Sequence, residues 1–162
     1  MKLTNQLVLF AVLFSTPMGF SQTNFWQPTS GPYGGGTRTL AIAPNGAIFA
    51  SVFRSTDGGL NWNMTTVPVS PSTIAIDDSG QIWIGTVGLV STNGLYRSID
   101  DGETWLPLPN GLQNAWIRSI AFNSHGHVFV GTESSGMFRS TNRGIGWDSI
   151  NNALVMNASM VG

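Results

Sequence analysis

The stretch Arg97-Ser98-Ile99-Asp100-Asp101-Gly102-Glu103-Thr104-Trp105 decides the reading of this chain, because its pattern occurs three times. An earlier copy runs Arg54-Ser55-Thr56-Asp57-Gly58-Gly59-Leu60-Asn61-Trp62, and a later one Arg139-Ser140-Thr141-Asn142-Arg143-Gly144-Ile145-Gly146-Trp147. Ser55, Ser98 and Ser140 stand 43 and 42 residues apart, a period in the range of a four-stranded propeller blade. Counted from the serine, an aspartate at the third position can accept backbone N–H bonds across the turn that follows. Glycine at the fifth position supplies φ > 0, and the tryptophan buries a large ring against its neighbours. Asn142 offers the third copy a neutral acceptor for the same turn, so that copy is expected to fold less firmly.

Outward from these turns, each copy reads as four short strands. The runs are 38–43, 47–51 and 52–55 in the first copy and 73–77, 81–86 and 95–98 in the second. In the third they are 117–122, 127–132 and 137–140, with a last strand starting near Trp147. Isoleucine, valine and aromatics alternate there with small or polar residues, and Gly, Asn, Asp and Ser punctuate the runs. No stretch after the leader shows a helical period. One copy is irregular: Ala50-Ser51 runs straight into Val52-Phe53-Arg54, where the third copy has Glu133-Ser134-Ser135-Gly136 and the second a longer loop over 87–94. With four turn residues missing, the first blade is expected to be distorted, or its middle strands to merge.

The chain has 162 residues, of which 41% are hydrophobic and 9% charged, with 20 glycines; this suits a turn-rich β protein. A net charge of −1 without a basic cluster implies neither nucleic acid nor an anionic membrane as a partner. Cysteine is absent, so disulfides and thiol-ligated metals are excluded. At the N-terminus Lys2 precedes the apolar run Leu7-Val8-Leu9-Phe10-Ala11-Val12-Leu13-Phe14, with small Gly19 and Ser21 ahead of Gln22. That is a secretory signal peptide over 1–21, cut before Gln22, its apolar run too short to span a bilayer. The expected home is secreted, periplasmic or cell-surface, with no membrane contact once the leader is removed. A lead-in segment over 22–37 follows, then repeats over about 38–72, 73–116 and 117–162, the last incomplete.

The pattern S-x-D-x-G-x-T-W, complete in Ser98, Asp100, Gly102, Thr104 and Trp105, resembles the Asp-box or BNR repeat. That repeat occurs in sialidases, sortilin-type receptors, photosystem II assembly factors and secreted bacterial propellers, and the leader is similar in style to exported Bacteroidota-type proteins. The first copy keeps Ser55, Asp57, Gly59 and Trp62, with Asn61 in place of threonine. The third keeps Ser140, Gly144 and Trp147, with Asn142 and Gly146 as departures. The resemblance implies an all-β fold, a partial β-propeller of about three four-stranded Asp-box blades, and a structural role for the repeated residues. Closed propellers have four to eight blades. The chain therefore reads as the N-terminal fragment of a larger propeller, with self-association through uncapped blade faces as the other way to cover them.

Topology locates the candidate site. If each blade runs up, down, up, down, the turn between its first two strands shares an end with the Asp-box. The longer loops, 63–72, 85–94, 106–116 and 131–136, lie at the other end, where function on such scaffolds usually sits. Trp116, Arg118, Gln113, Asn114 and Glu133 are the side chains there best suited to a polar ligand. Trp116 could stack on a sugar ring, although packing between blades is the commoner fate of a tryptophan. His125-Gly126-His127 aligns with Asn45-Gly46-Ala47 and Ser79-Gly80-Gln81, so it reads as a repeated surface turn without a third zinc ligand. Asp100, Asp101 and Glu103 lack calcium-loop spacing. No metal or cofactor is expected.

Catalysis needs more than the chain offers. Glycoside hydrolysis requires two carboxylates across the scissile bond or a substitute nucleophile. The [FY]-R-I-P motif of sialidases is absent, and Arg54, Arg97 and Arg139 fill one repeated position rather than converging. Xyloglucan-cleaving hydrolases place an aspartate before Gly-Gly-x-[YF]-R, where this chain has Ser51-Val52-Phe53-Arg54. The expectation is a non-catalytic secreted module that binds an unknown protein or glycan through its loop face. The alternative is the N-terminal part of an exported sialidase- or xyloglucanase-like glycoside hydrolase whose catalytic residues lie beyond this chain.

Overall fold

The computed structural model describes residues 31–32, 36–87, 94–108, 111–112 and 115–151. They form twelve strands in three antiparallel four-stranded sheets, with no helix among the described residues. The first sheet holds β1 (Leu40–Ile42), β2 (Ile48–Ala50), β3 (Phe53–Ser55) and β4 (Asn63–Met64). The second holds β5 (Pro71–Ile76), β6 (Ile82–Thr86), β7 (Leu95–Ser98) and β8 (Leu106–Pro107). The third holds β9 (Ile117–Phe122), β10 (Val128–Thr132), β11 (Met137–Ser140) and β12 (Asp148–Ser149). Each sheet pairs its strands in chain order, and no strand crosses to another sheet. The chain is an all-β partial β-propeller. The leader over 1–21, the lead-in up to 30 and the end of the third repeat, 152–162, lie outside the described residues.

The first blade corrects one expectation. Its middle strands neither merge nor lose register: Ile48 pairs with Ser55, Phe49 with Arg54 and Ala50 with Phe53. Two residues, Ser51 and Val52, are enough to reverse the chain, because Ser51 takes φ 54°. A positive φ at the first central position is the signature of a tight primed hairpin turn. A two-residue reversal needs only one left-handed backbone position, so the shorter loop of this blade does not distort it.

The repeat turns are built alike. In the second blade Ser98 Oγ lies 2.7 Å from Asp100 Oδ1 and accepts the Gly102 N–H at 2.8 Å. Asp100 in turn accepts the Thr104 N–H at 2.9 Å and the Thr104 hydroxyl at 2.5 Å. The first blade repeats this with Ser55, Asp57, Gly59 and Asn61, whose side-chain amide replaces the threonine hydroxyl at 2.8 Å. In the third, Asn142 Oδ1 accepts the Gly146 N–H at 2.8 Å, and the side-chain bond at that position is gone. The fourth position is left-handed too, in Asp101 (φ 58°) and Arg143 (φ 57°).

These turns join one blade to the next. A methyl group built on Gly102 would stand 3.2 Å from Phe49 Cε1, on the second strand of the preceding blade. One built on Gly144 would stand 3.0 Å from Trp83 Cζ3 and 3.1 Å from Leu108 Cδ1. The cores accordingly lie between sheets. Phe49, Ile74, Ile82 and Ile84 cluster with Trp105 against them, and Trp83, Leu108, Ile117 and Val130 cluster with Trp147. Trp105 and Trp147 thus occupy matching environments, whereas the Trp62 indole N–H donates to the Gly59 carbonyl at 2.9 Å. Arg54 completes the first joint through Glu103 at 3.2 Å and Asp101 at 3.5 Å. Arg97 completes the second by donating to the Arg143 carbonyl at 3.2 Å.

Two outcomes follow from these turns. Gly144→Ala should cost about 2–4 kcal/mol, from left-handed strain together with overlap on the Trp83 ring. Gly126→Ala, equally left-handed but with open space beside it, should cost only about 1–2 kcal/mol; urea unfolding of the two variants gives the comparison, and equal losses would show that the ring contact stabilises nothing. Asp57 is held down to about 2, first by the Asn61 backbone N–H, then by the Asn61 amide and Ser55. Asp100 is held down to about 2, first by the Thr104 hydroxyl, then by the Thr104 N–H and Ser98. A folded pKa below the unfolded value gives stability that is present above about pH 4 and lost as pH falls toward 2. The doubly substituted chain Asp57→Asn, Asp100→Asn should therefore lose less stability than the unsubstituted chain between pH 5 and 2, as measured by thermal melts across that range.

Candidate functional site

The two ends of the blades are distinct. Asn45, in the β1–β2 turn, donates to Asp101 in the next repeat turn at 3.3 Å, which places those turns at one end. There the β1–β2, β5–β6 and β9–β10 turns are alike: Asn45, Asp77 and Asn123 each accept the backbone N–H two residues on or further, at 2.9–3.0 Å. His125 and His127 belong to this repeated turn, with their rings stacked 5.8 Å apart. His127 Nδ1 lies 3.3 Å from the Asn123 amide, and among the described residues no group of three acids or histidines could hold a metal.

At the opposite end the entry to the innermost strand carries the site. In β9, Ser119 pairs with Gly131 and Ile117 with Thr132, so Arg118 is the extra residue of a bulge. Ser72 is the extra residue at the same place in β5. In the first blade Leu40 pairs with Ala50, and the Ser51 N–H donates to the Thr39 carbonyl at 3.1 Å. That register puts Arg38 in the position of Ser72 and Arg118. Bulges commonly re-aim a side chain beside a functional site. Arg38, Ser72 and Arg118, one from each blade, line a single cavity of about 380 Å³, together with Ser51 and Ser70.

Packing beneath the cavity fixes its shape. Gly85 lets Ile117 lie directly on β6; a methyl group there would overlap the Ile117 side chain and Thr73. Ser72 Oγ lies 2.9 Å from the Gly85 carbonyl and 2.5 Å from that of Ile117, so its hydroxyl ties the second blade to the third. Arg118 forms a two-pronged ion pair with Glu133 Oε2, through Nε at 2.8 Å and through Nη2. The Glu133 N–H donates to the Trp116 carbonyl at 2.9 Å. Trp116 is 43% exposed, so it is not consumed by packing between blades.

Of the five side chains expected at this face, Arg118 and Glu133 are therefore paired, Trp116 is exposed and tied to Glu133 through its main-chain carbonyl, and Gln113 and Asn114 lie outside the described residues. Arg38 was missed. The signal was available: aligning the residue before Thr39, Thr73 and Ser119 in the three copies places two arginines at one repeated position. Chemically, the arrangement offers two guanidinium groups on one cavity, one of them already balanced by Glu133, with an exposed indole on the same strand entry. Among the described residues Glu133 is the one carboxylate at this end.

No protein-family model matches the chain, and no curated protein matches it. Solved structures do. The chain is similar to an ancestral GH74 enzyme at 23% identity and a TM-score of 0.59, covering 76% of this chain and 19% of that one. It is similar to the GH74 xyloglucanase of Xanthomonas campestris at 18% identity and a TM-score of 0.56, over 71% of this chain and 23% of that one. YCF48 from Cyanidioschyzon merolae aligns at 19% identity and a TM-score of 0.52, over 69% of this chain and 37% of that one. This chain thus spans about a fifth of the length of the GH74 enzymes that it resembles. At such identities the likeness establishes the fold: these are β-propeller proteins, and the chain shares part of their architecture.

Proposed function

We propose that this chain is a non-catalytic module of a larger, exported Asp-box propeller, binding a glycan or protein through the end that carries Trp116, Arg118 and Glu133. The observation that carries the reading is the division of labour between the ends. At one end the serine and acid side chains, and the glycine backbone, are taken up by turns and blade joints. At the other, two arginines border an open cavity, and the exposed Trp116 stands two residues before one of them. Glycosidases need a second carboxylate across the bond, and the single acid at this end, Glu133, is already paired with Arg118. Export through the leader over 1–21 belongs to the same reading, as does covering of the outer blade faces by further repeats or by a second copy. A second reading is favoured by the shared architecture with GH74 enzymes: the chain is part of a glycoside hydrolase whose catalytic carboxylates lie in other blades.

Affinity electrophoresis through soluble polysaccharides tests the first reading against the second. The chain should be retarded by at least one polysaccharide, Trp116→Ala should lose about tenfold or more in affinity as a stacked ring is removed, and His125→Ala at the other end should match the unsubstituted chain. Release of reducing sugar by the unsubstituted chain, abolished by Glu133→Gln, would overturn the non-catalytic reading. Retardation that survives Trp116→Ala but fails in His125→Ala would place binding at the wrong end.

A further inference from the structure

The charges of the chain are segregated. All eight carboxylates lie among the described residues, and seven of them stand in or beside the turns of one end: Asp57, Asp77, Asp78, Asp100, Asp101, Glu103 and Asp148. Glu133 is the exception. Four of the six arginines serve that same end. Arg54 pairs with Asp101 and Glu103, Arg97 holds the Arg143 carbonyl, and Arg139 lies 3.9 Å from Asp148. The other two, Arg38 and Arg118, face the cavity at the loop end. A cleft bordered by one sign of charge and set against an acidic remainder concentrates anions.

We infer that the cleft between Arg38 and Arg118 binds the carboxylate of an acidic polysaccharide, a uronic-acid chain, with Trp116 as the platform for a sugar ring. The inference deepens the loop-end reading above and rests on it. Arg38 is exposed and makes no ion pair or hydrogen bond among the described residues, so its planar fork is available to a carboxylate. Arg118 is oriented by Glu133 through Nε and Nη2, which leaves Nη1 with donors to spare. Two guanidinium groups and one carboxylate leave a net charge of +1, the complement of a single carboxylate.

The surroundings favour a sugar as the carrier. Ser51 and Ser70 bring hydroxyls to the cavity wall, while the Ser72 hydroxyl is held by backbone carbonyls. The cavity, of about 380 Å³, lies in the lower part of the range typical of ligand pockets. Trp116 is exposed and precedes Arg118 by two residues, and its main-chain carbonyl accepts the Glu133 N–H, which keeps the backbone that carries the indole beside the charged pair. A peptide carboxylate would use the guanidinium groups but leave the open indole without a flat ring to cover.

Titration of the full chain with a galacturonic-acid trisaccharide, a neutral glucose trisaccharide and an aspartate-rich peptide tests this. The uronate should bind best, and about 0.5 M salt should weaken it strongly relative to about 0.05 M, because an exposed pair is screened. Arg38→Ala should weaken it about tenfold or more, as loss of a charge-assisted hydrogen bond does, and Arg38→Lys should fall between. Arg38 is exposed and has no partner among the described residues, so a thermal melt should show its variants folded, and His125→Ala should bind unchanged. Tighter binding of the neutral sugar or the peptide, or uronate binding indifferent to Arg38→Ala, would overturn the inference. Loop-end binding would still stand if Trp116→Ala abolished whatever binding was seen. No binding of any probe, with no polysaccharide retarding the chain, would overturn both.

Discussion

The whole arrangement depends on an aromatic ring lying under a glycine. Phe49 beneath Gly102 and Trp83 beneath Gly144 bring the turn of each blade to van der Waals distance from the one before. Sheets this small, with outer strands of two residues, cannot bury a core within themselves, so the apolar area must be shared across the joint. A side chain at the glycine would hold the blades apart and open the core clusters around Phe49 and Trp83. The polar part of the turn serves the same end. Ser98 and Asp100 hold Gly102 in the one backbone conformation that lets it close on the ring, and Arg54 pins the turn from the side.

That demand explains why the two ends differ. Where turns must close on rings, residue types are constrained, and the acids that accept backbone N–H bonds accumulate there. The loop end bears no such burden. Its bulges at Ser72 and Arg118 leave one residue of β5 and one of β9 outside the ladder. The scaffold therefore repeats a position outside the ladder, which this chain fills with Arg38, Ser72 and Arg118: the serine is used to tie two blades, and the arginines face the cavity.

The period, the four-strand content of each blade and the geometry of the turns were legible in the sequence, because serine, aspartate, glycine and tryptophan recur at fixed offsets whose physics is local. The end on which Asn45 meets Asp101 was legible from strand alternation alone. The tight reversal at Ser51-Val52 was not, since a serine in the left-handed region leaves no mark that distinguishes it from a serine in a strand. The bulges were equally hidden. They depend on register between strands, and without them Arg38 reads as the first residue of an ordinary strand rather than as the partner of Arg118. The 43% exposure of Trp116 was not legible either, since composition does not report burial.

The joints also have a direction. Phe49 belongs to an earlier blade than the Gly102 that covers it, and Trp83 precedes Gly144 in the same way. A chain emerging from the ribosome N-terminus first exposes each ring before its cover has been made. Every added repeat then finds its docking surface already assembled, and it contributes in turn an uncovered ring of its own. Phe129, half-buried in β10, holds that place in the third blade. Synthesis from one end thus turns a repeated contact into a ratchet, in which each blade matures only after the next has been translated.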